Sequence, residues 1–428
     1  MQMQIRMGWL SMLAVVLQGF LMTQGSFGQD AVSATVADMD PVPAEPKLRY
    51  WKGNIHTHSF WSDGNDFPEM ICEWYRVRDY NFLALTEHNV LAAGLKWKKV
   101  ADVEKRGAPD VVTKYRARFG GRWVETKGVA GSPDEEIRLK PLDEYRYLLE
   151  ERGKFILIPA EEITDSAEGK PVHMNATNIG EVIKPVGGPT VREAMQNNLR
   201  AIMEQEKNQG REILPHVNHP NFGWAITAED LASVIAERFF EVYNGHPGVN
   251  HSGDKSRIGV EKMWDVANYI RLTKLDAPLL YGVATDDSHE YHGKPGSRPG
   301  RGWVMVRSEY LTPEHLIRAM KEADFYASSG VTLRDVQFDS ASKTLRVVIE
   351  PDANATYQTD FIVSKKGEDA TKIGIVASST NGLESSYVLQ DDDLYVRALV
   401  TSSLKPADPV WDEQKQQAWT QPFRVESK

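Results

Sequence analysis

Histidines and carboxylates recur in this chain where short apolar runs end. Gly53-Asn54-Ile55-His56-Thr57-His58 opens the series. Side chains two apart on an extended segment point to the same side, so His56 and His58 can reach one ion from one strand end. Asp63 follows within Trp61-Ser62-Asp63-Gly64. A lone His-x-His pair is commonly a surface or core feature, and its weight depends on what converges with it. Leu83-Ala84-Leu85-Thr86-Glu87-His88 ends in an acid and a histidine, and Ile156-Leu157-Ile158-Pro159-Ala160-Glu161-Glu162 ends in two acids. Val172-His173-Met174-Asn175 holds a histidine, residues 213–220 hold His216 and His219, and residues 279–289 end in Asp287 and His289. Independent surface groups do not explain this recurrence. Several carboxylates brought together need cations to neutralise them. Mixed imidazole and carboxylate ligands suit Zn, Mn or Fe, and the absence of a cysteine ligand argues against a structural zinc site.

These residues need a scaffold that gathers strand ends on one face. Apolar runs at 81–86, 155–159, 213–217, 238–243 and 279–284 alternate with helical patterns over 67–80, 142–151, 191–206, 262–272 and 313–322. Asp66 is a candidate cap for the first helix, with Glu69 three residues on. Strand–helix alternation predicts a mostly parallel sheet or barrel, whose strand C-termini meet at one face. Residues 96–140 fit no clean element, are rich in basic residues, and have the length of a lid or binding loop. Beyond about residue 335, Leu345, Val347 and Ile349 alternate with polar neighbours, as do Leu394, Val396 and Ala398. That pattern predicts a small antiparallel β-sandwich over 336–428. All eleven histidines lie between His56 and His315, which places the chemistry in residues 47–335.

The chain has 428 residues, 41% hydrophobic and 26% charged, the balance of a soluble globular protein of two or three domains. Its net charge of −10 lacks the basic excess of a nucleic-acid binder. Acidity does not exclude an anionic substrate, because bound metal reverses the local field. Residues 1–28 read as a signal peptide: Arg6, an apolar stretch over 7–22, then Ser26-Phe27-Gly28 before a cleavage point at Gln29. The apolar stretch is interrupted by Gln18 and falls short of the ~20 residues of a membrane span, so no stable span is expected after cleavage. Residues 29–46 read as a flexible lead-in, and the mature protein is expected to be periplasmic or extracellular. The single cysteine, Cys72, allows no internal disulfide and falls in a helical pattern as a small core residue.

In chain order, His56-Thr57-His58 with Ser62-Asp63-Gly64, Thr86-Glu87-His88, Glu161, His173, His219-Pro220 and Asp287-Ser288-His289 resemble the motifs of the PHP family, named for polymerase and histidinol phosphatase domains. The text Phe82-Leu83-Ala84-Leu85-Thr86-Glu87-His88-Asn89 is most similar to the branch that includes carbaryl hydrolase. The resemblance spans roughly residues 50–335 and implies an α/β fold, a distorted (β/α)7 barrel, with a site for two or three divalent metal ions. It implies that His56, His58, Glu161 and Asp287 hold one metal. Asp63, His88 and Glu161 then contribute to a second, with Glu161 bridging, and His173, His219 and His289 complete the set. His219 is favoured over His216 because it precedes Pro220 as in the family motif. Glu87 stands where the family more often has Asp. The resemblance implies hydrolysis of small-molecule esters, with a hydroxide bridging the metals as nucleophile and Asp287 central to it.

Substrate contacts follow from the neighbouring loops. Lys294, Arg298 and Arg301, in a Gly- and Pro-rich loop after His289, could meet an anionic phosphoester, as could Arg122, Arg138 and Lys140 in the 96–140 stretch. Asn244 and His246 could contact substrate or protonate a leaving group, although Asn-Gly is also a turn signal. The expected activity is phosphomonoester or phosphodiester hydrolysis. Carbamate or carboxylic ester hydrolysis, and metal binding without catalysis, are the alternatives.

Overall fold

The structure, a computed structural model, describes residues 47–367 and 369–425. The expected signal peptide and lead-in lie outside the described residues. β1 (Arg49–Asn54) leads through His56 and His58 to α1 (Pro68–Arg76) and β2 (Phe82–His88). Pro68 opens α1, where its missing N–H removes no helical bond, and Ile71, Cys72 and Tyr75 form the buried stripe. Asp66 does not cap this helix; its Oδ1 accepts from the Phe67 N–H at 2.8 Å, one residue too early.

Residues 96–140 form a small folded insertion: β3 (Lys96–Lys99), α2 (Val100–Arg106), α3 (Val111–Phe119), β4 (Thr126–Lys127) and β5 (Glu136–Leu139). The strands pair in the order β3-β5-β4. Val103, Val111, Tyr115 and Ile137 pack with Phe60 and Phe67. Strands of two and four residues are too short to show a period, which is why no element was legible here.

The chain continues through α4 (Leu142–Leu149), β6 (Ile156–Ala167), β7 (Lys170–Thr177), α5 (Val191–Gln209), β8 (Leu214–Val217), α6 (Ala228–Ser233), β9 (Phe239–Asn244), α7 (Val260–Lys274), β10 (Tyr281–Thr285), β11 (Trp303–Ser308), α8 (Pro313–Lys321) and β12 (Phe325–Ser328). Strand order in this part is β10-β9-β8-β7-β6-β2-β1-β11-β12. Pairing is parallel at β1–β2, β2–β6, β8–β9 and β9–β10. It is antiparallel at β6–β7 and β7–β8, so the sheet is mixed where the alternation predicted mostly parallel strands. The cause is local. Glu168 and Gly169 both have positive φ, the backbone of a two-residue hairpin turn, and they fold β7 straight back onto β6. Just past their strands, the ends of β1 and β10 meet: Thr57 bridges Ser288 in parallel, and the Asp287 N–H donates to the His56 carbonyl at 2.9 Å. Ile55, Phe82, Ile158, Leu214, Phe239 and Val283 share one buried core across these strands.

The C-terminal strands are β13 (Leu333–Asp339), β14 (Thr344–Ile349), β15 (Tyr357–Lys365), β16 (Ile375–Asn381), β17 (Glu384–Val388), β18 (Asp393–Ser402) and β19 (Gln417–Thr420). β13, β14 and β17 form one three-stranded sheet. The others join the main sheet through β12–β19, giving it thirteen strands, so hydrogen bonding runs across the boundary expected near residue 335. Leu345, Val347, Phe361, Val396 and Val400 fill the core between the two layers. Arg397 on β18 makes a bidentate pair with Asp265 on α7, at 2.9 and 2.8 Å, both side chains buried. Among the described residues no helix is long and apolar enough to cross a membrane.

Candidate metal centre

His56 and His58 follow β1 and are fully buried. The Asn54 side chain fixes their exit: its Oδ1 accepts from the His56 N–H at 3.0 Å and its Nδ2 donates to the Gly302 carbonyl at 2.8 Å. His56 Nε2 lies 3.4 Å from Glu162 Oε2 and 3.3 Å from Asp287 Oδ1. His58 Nε2 lies 3.3 and 3.2 Å from the same two oxygens. His56 Nε2, His58 Nε2 and Glu162 Oε2 are buried and have no hydrogen-bond partner. These separations exceed a normal N–H···O bond of about 2.9–3.0 Å. They match the edge of a tetrahedron around an ion with ligand bonds of about 2.0–2.2 Å, which is about 3.3–3.6 Å. The donor set therefore fits a divalent cation.

Charge supports the same fit. Burial would raise the pKa of Glu162, yet facing His56, His88 and His173 hold it well below the usual carboxylate range. Asp287 is held low in the same way, burial being outweighed by His56, His58, His289 and His219. Burial would lower His56, but Asp287, Glu241 and Glu162 carry it well above its ordinary value. His58, buried beside His289 and His88, is instead driven down to about 3. Buried carboxylates here are balanced by shared protons, and a divalent cation can take the place of those protons.

Orientation of the imidazoles comes from carboxylates and carbonyls behind them. Glu241 on β9 sets Oε1 2.6 Å from His56 Nδ1, which leaves Nε2 bare toward the cluster. The other Glu241 oxygen accepts from the His219 N–H at 2.6 Å and the Asn244 amide at 2.7 Å. His289 Nδ1 faces the Asp287 carbonyl at 2.8 Å, so its Nε2 is presented to Asp63 Oδ1 at 3.3 Å. Such partners fix the tautomer and direct the ligand nitrogen.

Two further groups adjoin the first. His58, Asp63, His88 and His289 could hold one ion, and His88, Glu162 and His173 another. His88 Nε2 is 3.4 Å from Asp63 Oδ2, and His173 Nδ1 is 2.9 Å from Glu162 Oε1. The Glu87 carboxylate points elsewhere: it accepts from the Ser59 N–H at 3.1 Å and from the Ser59 and Ser62 hydroxyls, holding the turn that presents Asp63. His216 on β8 and His219 just after it both reach the cluster. His219 Nε2 is 3.5 Å from Glu162 Oε1, while His216 lies deeper, 3.5 Å from Glu241 Oε1.

The structure departs from the sequence reading at several residues. Glu161 does not face the cluster; its Oε1 accepts from the Ile183 N–H at 2.5 Å on the other side of β6. Neighbouring side chains on a strand alternate sides, and Glu162 is the one in register with His88 on β2. Arg301 is not available to substrate. It is 4% exposed and donates to Asp408 at 2.9 Å and to the Gly245 and Gly296 carbonyls at 2.7 and 2.9 Å. Arg298 pairs with the same Asp408, so both arginines tie the loop after His289 to the C-terminal segment. Arg138 and Lys140 are likewise engaged, on Glu125 and Glu144. Asn244 braces Glu241 and Asp287 at 2.7 and 3.2 Å rather than facing outward. Lys294 rests on the Arg106 carbonyl at 3.0 Å. His246 stands half-buried at the rim, its ring 6.1 Å from that of His289. Its Nδ1 accepts from the Gly248 N–H at 3.0 Å, so the neutral ring carries its proton on Nε2. Glu241 was missed because it lies inside an apolar run, with no neighbouring histidine to mark it.

No family model matches the chain, and no curated protein does. Two solved structures are similar at a distance. One is a two-domain protein from Bacteroides vulgatus ATCC 8482 containing a predicted PHP-like metal-dependent phosphoesterase, at 14% identity and TM-score 0.38, over 89% of this chain and 97% of that one. The other is a candidate metal-dependent phosphoesterase from Bifidobacterium adolescentis ATCC 15703, at 15% identity and TM-score 0.29, over 65% of this chain and 96% of that one.

Proposed function

We infer that the chain is a metal-dependent hydrolase acting on phosphoesters, built on a distorted seven-stranded barrel. The observation that carries this reading is the convergence of His56 Nε2, His58 Nε2, Glu162 Oε2 and Asp287 Oδ1 at 3.2–3.4 Å in a buried site. Three of those atoms lack any hydrogen-bond partner, and buried polar groups are normally paired. These four residues would hold one ion. Asp63, His88 and His289 would hold a second with His58, and His173 would join Glu162 and His88 around a third. Divalent ions there supply Lewis-acid polarisation of a phosphoryl oxygen and ionise water near neutral pH.

The chain's own groups do the rest. Glu241, 2.6 Å from His56 Nδ1, would direct His56 Nε2 to a bound ion, and Asn244 donates to both the Glu241 and Asp287 carboxylates. His246 offers a neutral Nε2–H at the rim, where it can donate a hydrogen bond to the oxygen that leaves phosphorus. The test is hydrolysis of p-nitrophenyl phosphate, bis-p-nitrophenyl phosphate and 1-naphthyl methylcarbamate, each with Mn, Zn and Fe. Turnover of the phosphate esters is expected. Turnover of the carbamate alone would move the assignment to carbamate hydrolysis, and turnover of none, with metal bound, would reduce it to a metal-binding module.

A further inference from the structure

The folded insertion brings cations to one side of the metal cluster. Lys98 Nζ and Arg106 Nη1 both donate to the Ser62 carbonyl, at 3.3 and 2.6 Å. Lys96 Nζ donates to the adjoining Trp61 carbonyl. The next residue in the chain is Asp63, and the Ser62 hydroxyl lies 3.3 Å from Asp63 Oδ1. Among the described residues, Lys96, Lys98 and Arg106 pair with no carboxylate. Lys99, Lys114, Arg118, Lys127, Arg138 and Lys140 in the same insertion each sit on one. Lys105 and Arg122 also lack a carboxylate partner among the described residues, but Lys96, Lys98 and Arg106 differ from them in converging on the adjoining carbonyls of Trp61 and Ser62.

One carbonyl engages only a single N–H of each group. Lys98 keeps two further donors and Arg106 keeps four. Lys98 and Arg106 also line a cleft of about 650 Å³ with Phe60 and Trp97. Asp102 and Glu136 line it too, the latter already paired with Lys127 at 2.8 Å. Burial and the neighbouring Arg106 and Lys96 lower Lys98 to about 8, so at neutral pH it is still mostly charged. Two uncompensated cations that share one acceptor repel each other, and an oxyanion between them relieves that repulsion.

We propose that Lys98 and Arg106 form an anion subsite beside Asp63, which binds a phosphate group of the substrate and selects phosphorylated substrates over neutral esters. The proposal rests on the hydrolase reading for its substrate, but the subsite can be measured without turnover. Inorganic phosphate is titrated calorimetrically into the metal-loaded full chain, as wild type and as Lys98→Gln/Arg106→Gln. The double variant should bind phosphate about tenfold more weakly or worse. The charge-retaining pair Lys98→Arg/Arg106→Lys should bind it nearly as well as wild type, and so should Lys114→Gln, which removes a paired cation elsewhere in the insertion. Should the double variant not fold, each single Gln variant is expected to weaken phosphate binding by about threefold. Unchanged phosphate affinity in a folded Gln variant overturns the subsite, whatever esters the enzyme cleaves. Weakened phosphate binding in a protein that hydrolyses no ester supports the subsite and removes the hydrolase reading instead.

Discussion

Glu161 and Glu162 are adjacent on β6 and face opposite sides of it: Glu162 meets five histidines within 3.5 Å, while Glu161 meets the Ile183 N–H. Burial raises the Glu161 carboxyl to about 7, whereas Glu162 is held far below its ordinary value by the facing imidazoles. Glu162→Gln removes a negative charge from the centre of the cluster and should weaken metal binding more than about a hundredfold. Glu161→Gln keeps the acceptor for Ile183 and should leave metal content unchanged. Elemental analysis of the two purified variants checks this; equal metal loss in both would reject the assignment.

Glu241 acts through His56. Glu241→Gln keeps the shape of the side chain but replaces the anion behind Nδ1. Metal affinity is expected to fall about 10–100-fold, with the fold retained, as read by competition with a chromogenic chelator alongside circular dichroism.

His246 is expected to matter in proportion to the basicity of the leaving group. His246→Ala should slow hydrolysis of an alkyl phosphate by about a hundredfold or more, because it removes the hydrogen bond to the charge that builds on the departing alkoxide oxygen. With p-nitrophenyl phosphate, whose leaving group departs as a stable anion, the loss should be far smaller. Equal losses on both substrates would exclude a hydrogen bond from His246 to the leaving oxygen.

Much of this site was legible from residue types. Strand ends carrying His56, His58, His88, Asp287 and His289 announce themselves, because a polar ligand after an apolar run breaks the hydrophobic pattern. What was not legible depends on contacts distant in sequence. The choice between Glu161 and Glu162 is a matter of parity, set by the register of β6 on β2. The Arg301–Asp408 pair joins residues more than a hundred positions apart, and nothing near Arg301 signals an acid partner. The helices over α4, α5, α7 and α8 were readable because their apolar period spans two or more turns. The insertion was not, because its strands are too short. The C-terminal strands were visible as strands, but their continuity with β12 depends on the β12–β19 pairing, which no local pattern encodes.

Glu237 gives a stability prediction away from the site. It is 1% exposed; one oxygen accepts from the Arg238 and Phe239 N–H groups at 2.8 Å and the other has no partner. Burial outweighs those bonds and lifts its pKa from 4.5 to about 7. Below about pH 4 the carboxyl is protonated in both folded and unfolded chains and contributes no pH dependence. Between about 4.5 and about 7 the unfolded chain releases the proton while the folded chain retains it, so stability falls as pH rises through that window. Glu237→Gln should therefore gain roughly 3 kcal/mol over wild type at about pH 8 and lose that advantage at about pH 4. Urea unfolding at the two pH values measures it, and a difference that does not depend on pH would contradict the account.

The most direct test of the central claim is metal removal. The purified chain is stripped with chelator until elemental analysis finds no transition metal, assayed against p-nitrophenyl phosphate, and then reloaded with Mn, Zn or Fe singly. The account predicts that hydrolysis disappears on stripping and returns with at least one ion in wild type, and that Asp287→Asn recovers little under the same reloading. Phosphoester hydrolysis that persists in the fully stripped chain would contradict it.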